Sequence, residues 1–253
     1  MFEAGLWGLV GASSLLIGAV IGARAGLPER AIGLILGFGA GTLISALAFE
    51  LTEEAFRLGG ADIVAIGLAG GALAYYAGSV ALARRGAAQR MAASGRSDAE
   101  DSSSALLLGA VLDGIPESAV IGISLLEGGE VGLPILAAVF ISNMPEAISS
   151  SQGMCAQGLG LRRVLARWTV VALVCAVAAA AGYGLLESAS DDVIGLLQAF
   201  AGGAVLTMLA DTMFPEAYSH ARDEDEPRPF LDKAIGLLTV LGFALAYLLS
   251  TLE

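Results

Sequence analysis

The sequence predicts an all-α membrane protein with eight transmembrane helices and both termini outside. Three observations lead to this prediction. Hydrophobic residues form 56% of the 253-residue chain and charged residues only 15%, and the mean hydropathy of +0.77 is well above that of ordinary soluble domains. The apolar residues fall into eight runs of membrane-spanning length. Nearly all basic residues lie on one side of those runs.

Five of the eight runs contain no charged residue and are about long enough to cross roughly 30 Å of hydrocarbon as helices. These runs are Ala4–Ala23, Ala31–Phe49, Ile63–Ala83, Trp168–Leu186 and Ala234–Leu252. The other three have the length but also contain carboxylates: Ala105–Leu126, Val131–Gln157 and Val193–Ser219. Ala, Gly and Ser are abundant throughout, which allows membrane helices to approach closely. The runs therefore predict a tight helical bundle.

The spacing of the runs leaves no room for a separate soluble domain, so residues 1–253 are predicted to form a single transmembrane domain. The longest polar stretch, 86–104, is predicted to be a flexible cytoplasmic loop because small, polar and charged residues dominate it. The first run lacks the basic segment and cleavage site of a secretory signal. We therefore expect it to be retained as the first transmembrane helix.

The distribution of positive charge predicts the orientation of the chain. If the N-terminus is outside, the inner loops hold all 13 Lys and Arg residues except Arg57. Such a bias is what the positive-inside rule predicts for a correct helix count. The chain is thus predicted to be an integral, multi-pass protein of the plasma membrane, with the lipid bilayer as its surroundings. Acidic loop segments account for much of the net charge of −12, and no nucleic-acid partner is expected.

Prolines and carboxylates lie together in the middle of two of the runs, in DGIPES from Asp113 and SNMPEA from Ser142. A charged side chain at mid-membrane costs about 2.5–3.5 kcal/mol on insertion scales and normally faces the bundle interior or a water-filled path. Asp113 and Glu117 are four residues apart and share one helix face. Pro116 and Pro145 each leave one backbone carbonyl without its helical donor.

These groups are candidate oxygen ligands for a cation. The fourth run supplies Asp113 and Glu117, and the fifth supplies Ser142, Asn143 and Glu146 within about one turn. The alternative is that each Pro-Glu pair is a kink whose protonated, hydrogen-bonded glutamic acid only holds helices together. Because two such pairs face each other in antiparallel helices, we favour a site.

Other polar residues lie toward the two ends of the bundle. Glu50, Glu53 and Glu54 are near the outer end of the second run, whereas Glu216 and the single histidine, His220, are near the inner end of the seventh. Together with the central carboxylates they predict an entrance and exit path for a cation. The alternative is simple solvation of helix ends, and for His220 a surface position.

This pattern resembles the ZIP (Zrt/Irt-like) family of divalent metal transporters over essentially the whole chain. The fourth helix of that family carries His-Asn-x-Pro-Glu-Gly, matched here by residues 113–118, and the fifth carries a motif ending in Pro-Glu-Gly, matched by 142–147. The resemblance implies an eight-helix, ZIP-like bundle in which the helices carrying the site slide against a scaffold. Asp113 stands where the family usually has histidine. Thr212 aligns with a metal-binding glutamate, which makes the adjacent Asp211 a substitute ligand.

The predicted function is therefore inward transport of divalent metal cations through a mid-membrane carboxylate site. Oxygen ligands without imidazole or thiolate predict broad selectivity, with Zn²⁺ joined by Mn²⁺, Fe²⁺, Cd²⁺ and Co²⁺. The alternative is a ZIP-like metal sensor or structural membrane partner that does not transport. An enzyme is not expected, since the sequence has no nucleophile–base pair, phosphate loop or H-E-x-x-H motif. No prosthetic group is expected, and a homodimer is left open.

Overall fold

The computed structural model describes the backbone of residues 1–92, 98–126, 131–221 and 229–251. Within these ranges it describes the side chains of all residues except 85–110 and 229–233. The fold is all-helical over the described residues. The helices are α1 (Phe2–Ala25), α2 (Glu29–Ala46), α3 (Glu53–Ala92), α4 (Asp98–Ser124), α5 (Leu133–Ala156), α6 (Leu161–Leu186), α7 (Asp191–Met208), α8 (Phe214–Ala221) and α9 (Pro229–Ser250). Two π-helical segments, π1 (Leu47–Thr52) and π2 (Leu209–Met213), join α2 to α3 and α7 to α8. The predicted all-α class is confirmed.

Five helical stretches in the described residues are long and apolar enough to cross a membrane. They are Phe2–Ala25, Glu29–Arg84, Leu133–Ala156, Leu161–Leu186 and Asp191–Ala221, and a shorter apolar helix covers Ala234–Ser250. These stretches support a membrane protein. The number of crossings and the side on which the termini lie stay predictions.

One of these stretches is far longer than a single crossing requires. Glu29–Arg84 contains 56 residues, whereas about 20 helical residues span the hydrocarbon. Within it, Gly60 has φ 74° and ψ −177°, a backbone conformation that glycine adopts much more readily than other residues. The helical path is therefore interrupted at Gly60, between the predicted second and third runs.

Most of the polar stretch predicted to be a flexible loop, 86–104, is helical where the structure describes it. Helix α3 continues to Ala92 and helix α4 begins at Asp98, so much of 86–104 is helical, and residues 93–97 lie outside the described residues. Composition explains the difference locally. Ala, Gln, Arg and Met in 86–92 are good helix formers, and acidic residues in the first turn of α4 suit a helix N-terminus. The stretch is polar, but polarity alone does not prevent a helix.

Close packing at glycines divides the helices into two groups. In the first, α1, α4, α5 and α6, a Cβ atom added at Gly122 would lie 1.9 Å from the Ala179 carbonyl oxygen. In the second, α2, α3, α7, α8 and α9, Cβ atoms at Gly71 and Gly41 would lie 1.8 and 1.9 Å from the carbonyl oxygens of Phe200 and Thr239. Helix backbones thus touch within each group, and contacts between the groups are fewer.

A matched pair of glycines in α3 tests this packing. Gly71→Ala should lower the free energy of unfolding by about 1–3 kcal/mol, because the added methyl group would overpack against the α7 backbone. Gly70→Ala is the control, since its Cβ would meet only the Phe200 ring at an ordinary 3.4 Å. Thermal unfolding in detergent measures both. Equal stability of the two variants would contradict the predicted close contact between α3 and α7.

Candidate functional site

The two Pro-Glu motifs contribute to one cavity between the two helix groups. Helices α4 and α5 continue through Pro116 and Pro145, which keeps residues four apart on one face of each helix. The cavity is lined by Leu36, Asp113, Glu117, Ser142, Glu146, Met208, Thr212, Met213 and Glu216. Four of the six predicted metal ligands therefore share a single cavity, as does Glu216 of the predicted exit path.

Helix α2 supplies the apolar wall of this cavity. A Cβ atom at Gly39 would lie 3.1 Å from the Ser142 Cα atom, so the missing side chain allows α2 to approach α5 closely. Leu36, three residues earlier and 1% exposed, lines the cavity. Ser142 thus lies against an apolar surface of α2 that offers its hydroxyl no hydrogen-bond partner. The Ser142 hydroxyl donates back to the Val139 carbonyl at 3.1 Å.

Several polar atoms beside the cavity are buried without hydrogen-bond partners. Glu117 and Asn143 are each 3% exposed, and Asp113 is 6% exposed. Glu117 Oε2 and Asn143 Nδ2 have no hydrogen-bond partner. Because a buried polar group without a partner costs about 1–3 kcal/mol and more when it is charged, the Glu117 oxygen is a candidate for contact with a bound cation.

A tyrosine connects the two helix groups at the edge of the cavity. The Tyr75 hydroxyl donates to Asp113 Oδ1 at 2.6 Å and lies 3.1 Å from Thr212 Oγ1. The sequence analysis did not identify Tyr75. The sequence did contain an indication of its role, because Tyr75 lies within an apolar run and a buried tyrosine hydroxyl normally needs a polar partner.

The cavity is small, and its carboxylates do not converge on one point. The cavity volume is about 10 Å³, which is about the space that one water molecule requires. No three His, Cys, Asp or Glu side chains among the described residues are grouped closely enough to hold a metal ion. Coordination by several of these carboxylates would therefore require side-chain or helix movement from the arrangement seen here.

The structure places the predicted ligand Asp211 away from this cavity. Asp211 lies in π2 with an exposed side chain, and the next residue, Thr212, lines the cavity instead. Adjacent residues of a helix point in different directions. Thr212, which aligned with a metal-binding glutamate in the motif comparison, is therefore the residue that lines the cavity, and it carries a hydroxyl group in place of a carboxylate.

A second polar cluster continues from the cavity toward the end of α8. The Ser149 hydroxyl donates to Glu216 Oε1 at 2.8 Å and lies 2.9 Å from His220 Nε2. His220 Nδ1 contacts Glu29 Oε2 at the start of α2. Glu216 belongs to both the cavity lining and this cluster, so the cluster adjoins the cavity. Ser149 was missed in the sequence, although it follows Glu146 by three residues and so shares its helix face.

The predicted outer residues lie apart from the cavity lining. Glu50 is half-buried in π1 and Glu53 is exposed. Glu54 forms a salt bridge with Arg57, with Arg57 Nη2 and Glu54 Oε2 2.5 Å apart. None of these three glutamates lines the cavity.

Comparison with known proteins does not identify this chain. No family model matches it, and no curated protein matches it either. The ZIP resemblance therefore depends on the sequence motifs alone.

The lack of a hydrogen-bond partner at Glu117 Oε2 leads to a stability prediction. Glu117→Gln should leave the free energy of unfolding of the metal-free protein within about 1 kcal/mol of wild type, or raise it, because a neutral isostere replaces a buried carboxylic group that has an unsatisfied oxygen. Thermal unfolding in the presence of a chelator measures this. Ser149→Ala, which removes the partner of Glu216 and His220, should instead lower the unfolding midpoint. A large loss of stability in Glu117→Gln would show that Glu117 holds the helices together.

Proposed function

We propose that this protein is a ZIP-like transporter that moves divalent metal cations into the cytoplasm. The observation that supports it most is one cavity lined by the oxygens of Asp113, Glu117, Ser142 and Glu146 at the boundary between two internally close-packed helix groups. Oxygen ligands suit divalent cations. A site at such a boundary can change its access when one group moves against the other.

The proposal includes eight membrane crossings with both termini outside. The break at Gly60 divides the 56-residue stretch Glu29–Arg84 into two parts of spanning length, and α4 and α9 add to the remaining apolar helices. In this orientation residues 86–104 face the cytoplasm. Labelling of a single cysteine introduced at 93–97, in a variant without native cysteines, by an impermeant reagent on intact cells would contradict the orientation.

In this orientation the cavity opens toward the cytoplasm. Burial decreases in the inward direction along α5, from buried Ser142 to half-buried Glu146 and Ser149. The side chains of Glu216 and His220 then offer successive polar contacts toward the inner end of α8. We infer that an ion leaves the site along this route.

The selectivity proposed for the site follows from its atoms. Carboxylate and hydroxyl oxygens accommodate Mn²⁺ as well as Zn²⁺, and zinc stands above manganese in the general affinity order. The thioether groups of Met208 and Met213 also line the cavity and would add weak, soft contacts for Zn²⁺ or Cd²⁺. We therefore propose broad transport of Zn²⁺, Mn²⁺, Fe²⁺, Cd²⁺ and Co²⁺.

A second candidate function is supported by a different observation. Among the described residues no three His, Cys, Asp or Glu side chains are grouped at metal-binding distance, which favours a structural membrane partner, since such a protein needs no metal site. The other form of this candidate is a ZIP-like metal sensor, which would bind the ion in the same cavity without transporting it. Uptake measurements with purified protein in liposomes separate the candidates. A transporter accumulates metal inside the vesicles, whereas a sensor binds it without accumulation and a structural partner does neither.

The central experiment removes one carboxylate charge at a time. In proteoliposomes supplied with Zn²⁺, Cd²⁺, Fe²⁺, Mn²⁺ or Co²⁺, Glu117→Gln and Glu146→Gln should reduce uptake at least tenfold, because an amide is a much weaker ligand than a carboxylate. Glu53→Gln is the control and should change uptake less than about threefold, since Glu53 is exposed and does not line the cavity. Wild-type rates in both core variants would rule out this cavity as the transport site.

Selectivity gives a further prediction. Asp113→His introduces an imidazole, which zinc and cadmium accept readily. The ratio of Zn²⁺ to Mn²⁺ uptake should rise about tenfold, equivalent to roughly 1.4 kcal/mol. Competition between the two ions in one vesicle preparation measures the ratio directly. An unchanged ratio, with uptake still abolished by Glu117→Gln, would exclude Asp113 from the ligand set.

A further inference from the structure

Tyr75 forms a polar connection that the proposed transport site does not by itself require. The residue lies in α3 with 4% of its surface exposed, while its neighbour Tyr76 is 58% exposed. A phenol has one proton to donate. Since the Tyr75 hydroxyl donates that proton to Asp113 Oδ1, the Thr212 hydroxyl must donate to the Tyr75 oxygen across 3.1 Å. The three groups therefore form a directed chain from Thr212 through Tyr75 to Asp113.

This chain borders the cavity. Asp113 and Thr212 both line the cavity, and Tyr75 is not among the described residues that do so. Tyr75 thus contacts a candidate ligand without lining the cavity itself. The connection also crosses the boundary between the helix groups, because Asp113 belongs to α4 whereas Tyr75 and Thr212 belong to α3 and π2.

The hydrogen bond determines which atom of Asp113 is offered to an ion. A carboxylate has two oxygens, and Oδ1 of Asp113 already accepts a short, charge-assisted hydrogen bond from the Tyr75 hydroxyl. The position of that hydroxyl is in turn held by Thr212. The rotation of the Asp113 carboxylate is then restricted, and Oδ2 is the oxygen with more capacity left for a cation. Partners of this kind orient metal ligands in protein sites, and their loss typically costs 10–100-fold in affinity or activity.

We propose that Tyr75 is a positioning residue that orients the Asp113 carboxylate for the transported cation. The inference rests on the proposed function, since it concerns the same cavity. A purely structural tyrosine would fill space and tie α3 to α4. A positioning tyrosine changes the apparent affinity for the ion while the protein stays folded and the maximal rate is largely kept.

The experiment compares Tyr75→Phe with Tyr76→Phe by Mn²⁺ and Zn²⁺ uptake in proteoliposomes. Tyr75→Phe removes a single oxygen atom, and we expect it to raise KM at least fivefold for both ions with the maximal rate within about twofold of wild type. Tyr76→Phe should leave both parameters unchanged, because its side chain is exposed and does not touch the cavity. Thermal unfolding in detergent verifies that each variant is folded.

Each result leads to a decision. A Tyr75→Phe variant with a KM within twofold of wild type, or with a reduced maximal rate at unchanged KM, overturns the positioning role and leaves the transport proposal intact. If Tyr75→Phe does not fold, Thr212→Val is compared in the wild-type and Asp113→Ala backgrounds, because Thr212 also lines the cavity. A rise in KM that disappears without Asp113 supports the positioning role, whereas no rise, or a rise that persists, overturns it. A wild-type protein that accumulates none of the metals overturns the proposed function, and the positioning role with it.

Discussion

The structure depends on one constraint, which is that carboxylates placed among apolar helices must find protein atoms or a ligand in place of water. Asp113 and Glu117 satisfy this constraint to different degrees. Asp113 accepts a short hydrogen bond from Tyr75, whereas Glu117 has one buried oxygen without a partner. The same helix face thus holds one anchored carboxylate and one that is available. The two carboxylates therefore differ in how far the protein itself satisfies them.

Glycine packing explains why these polar groups gather where they do. Within each helix group the backbones approach so closely that even a methyl group would collide with a carbonyl oxygen, as at Gly122 and Gly71. The boundary between the groups has fewer backbone contacts and accommodates the carboxylates of the cavity and the cluster of Ser149, Glu216 and His220.

The two π-helical segments affect the positions of individual side chains. A wider turn changes the direction of the residues within it relative to a regular α-helix, and such turns are frequent at functional sites. In π2, Thr212 lines the cavity and the adjacent Asp211 does not. The cavity therefore meets a hydroxyl at this place, and that hydroxyl supports Tyr75. A search for charged residues near the motif would select Asp211, because the sequence contains no sign of the local turn geometry.

The sequence by itself determined the features that are local along the chain. Apolar runs, helix-forming composition and four-residue spacing identified the helical stretches and placed Asp113 with Glu117, and Ser142 with Glu146, on shared faces, because these depend on helix periodicity alone. Only the tertiary structure decided which side chains meet across helices. Tyr75 and Asp113 are 38 residues apart, and Ser149 and Glu216 are 67 apart. Their meeting depends on how closely the glycine-lined backbones approach and on the rotation of each helix, and neither quantity is encoded in a short stretch of residues.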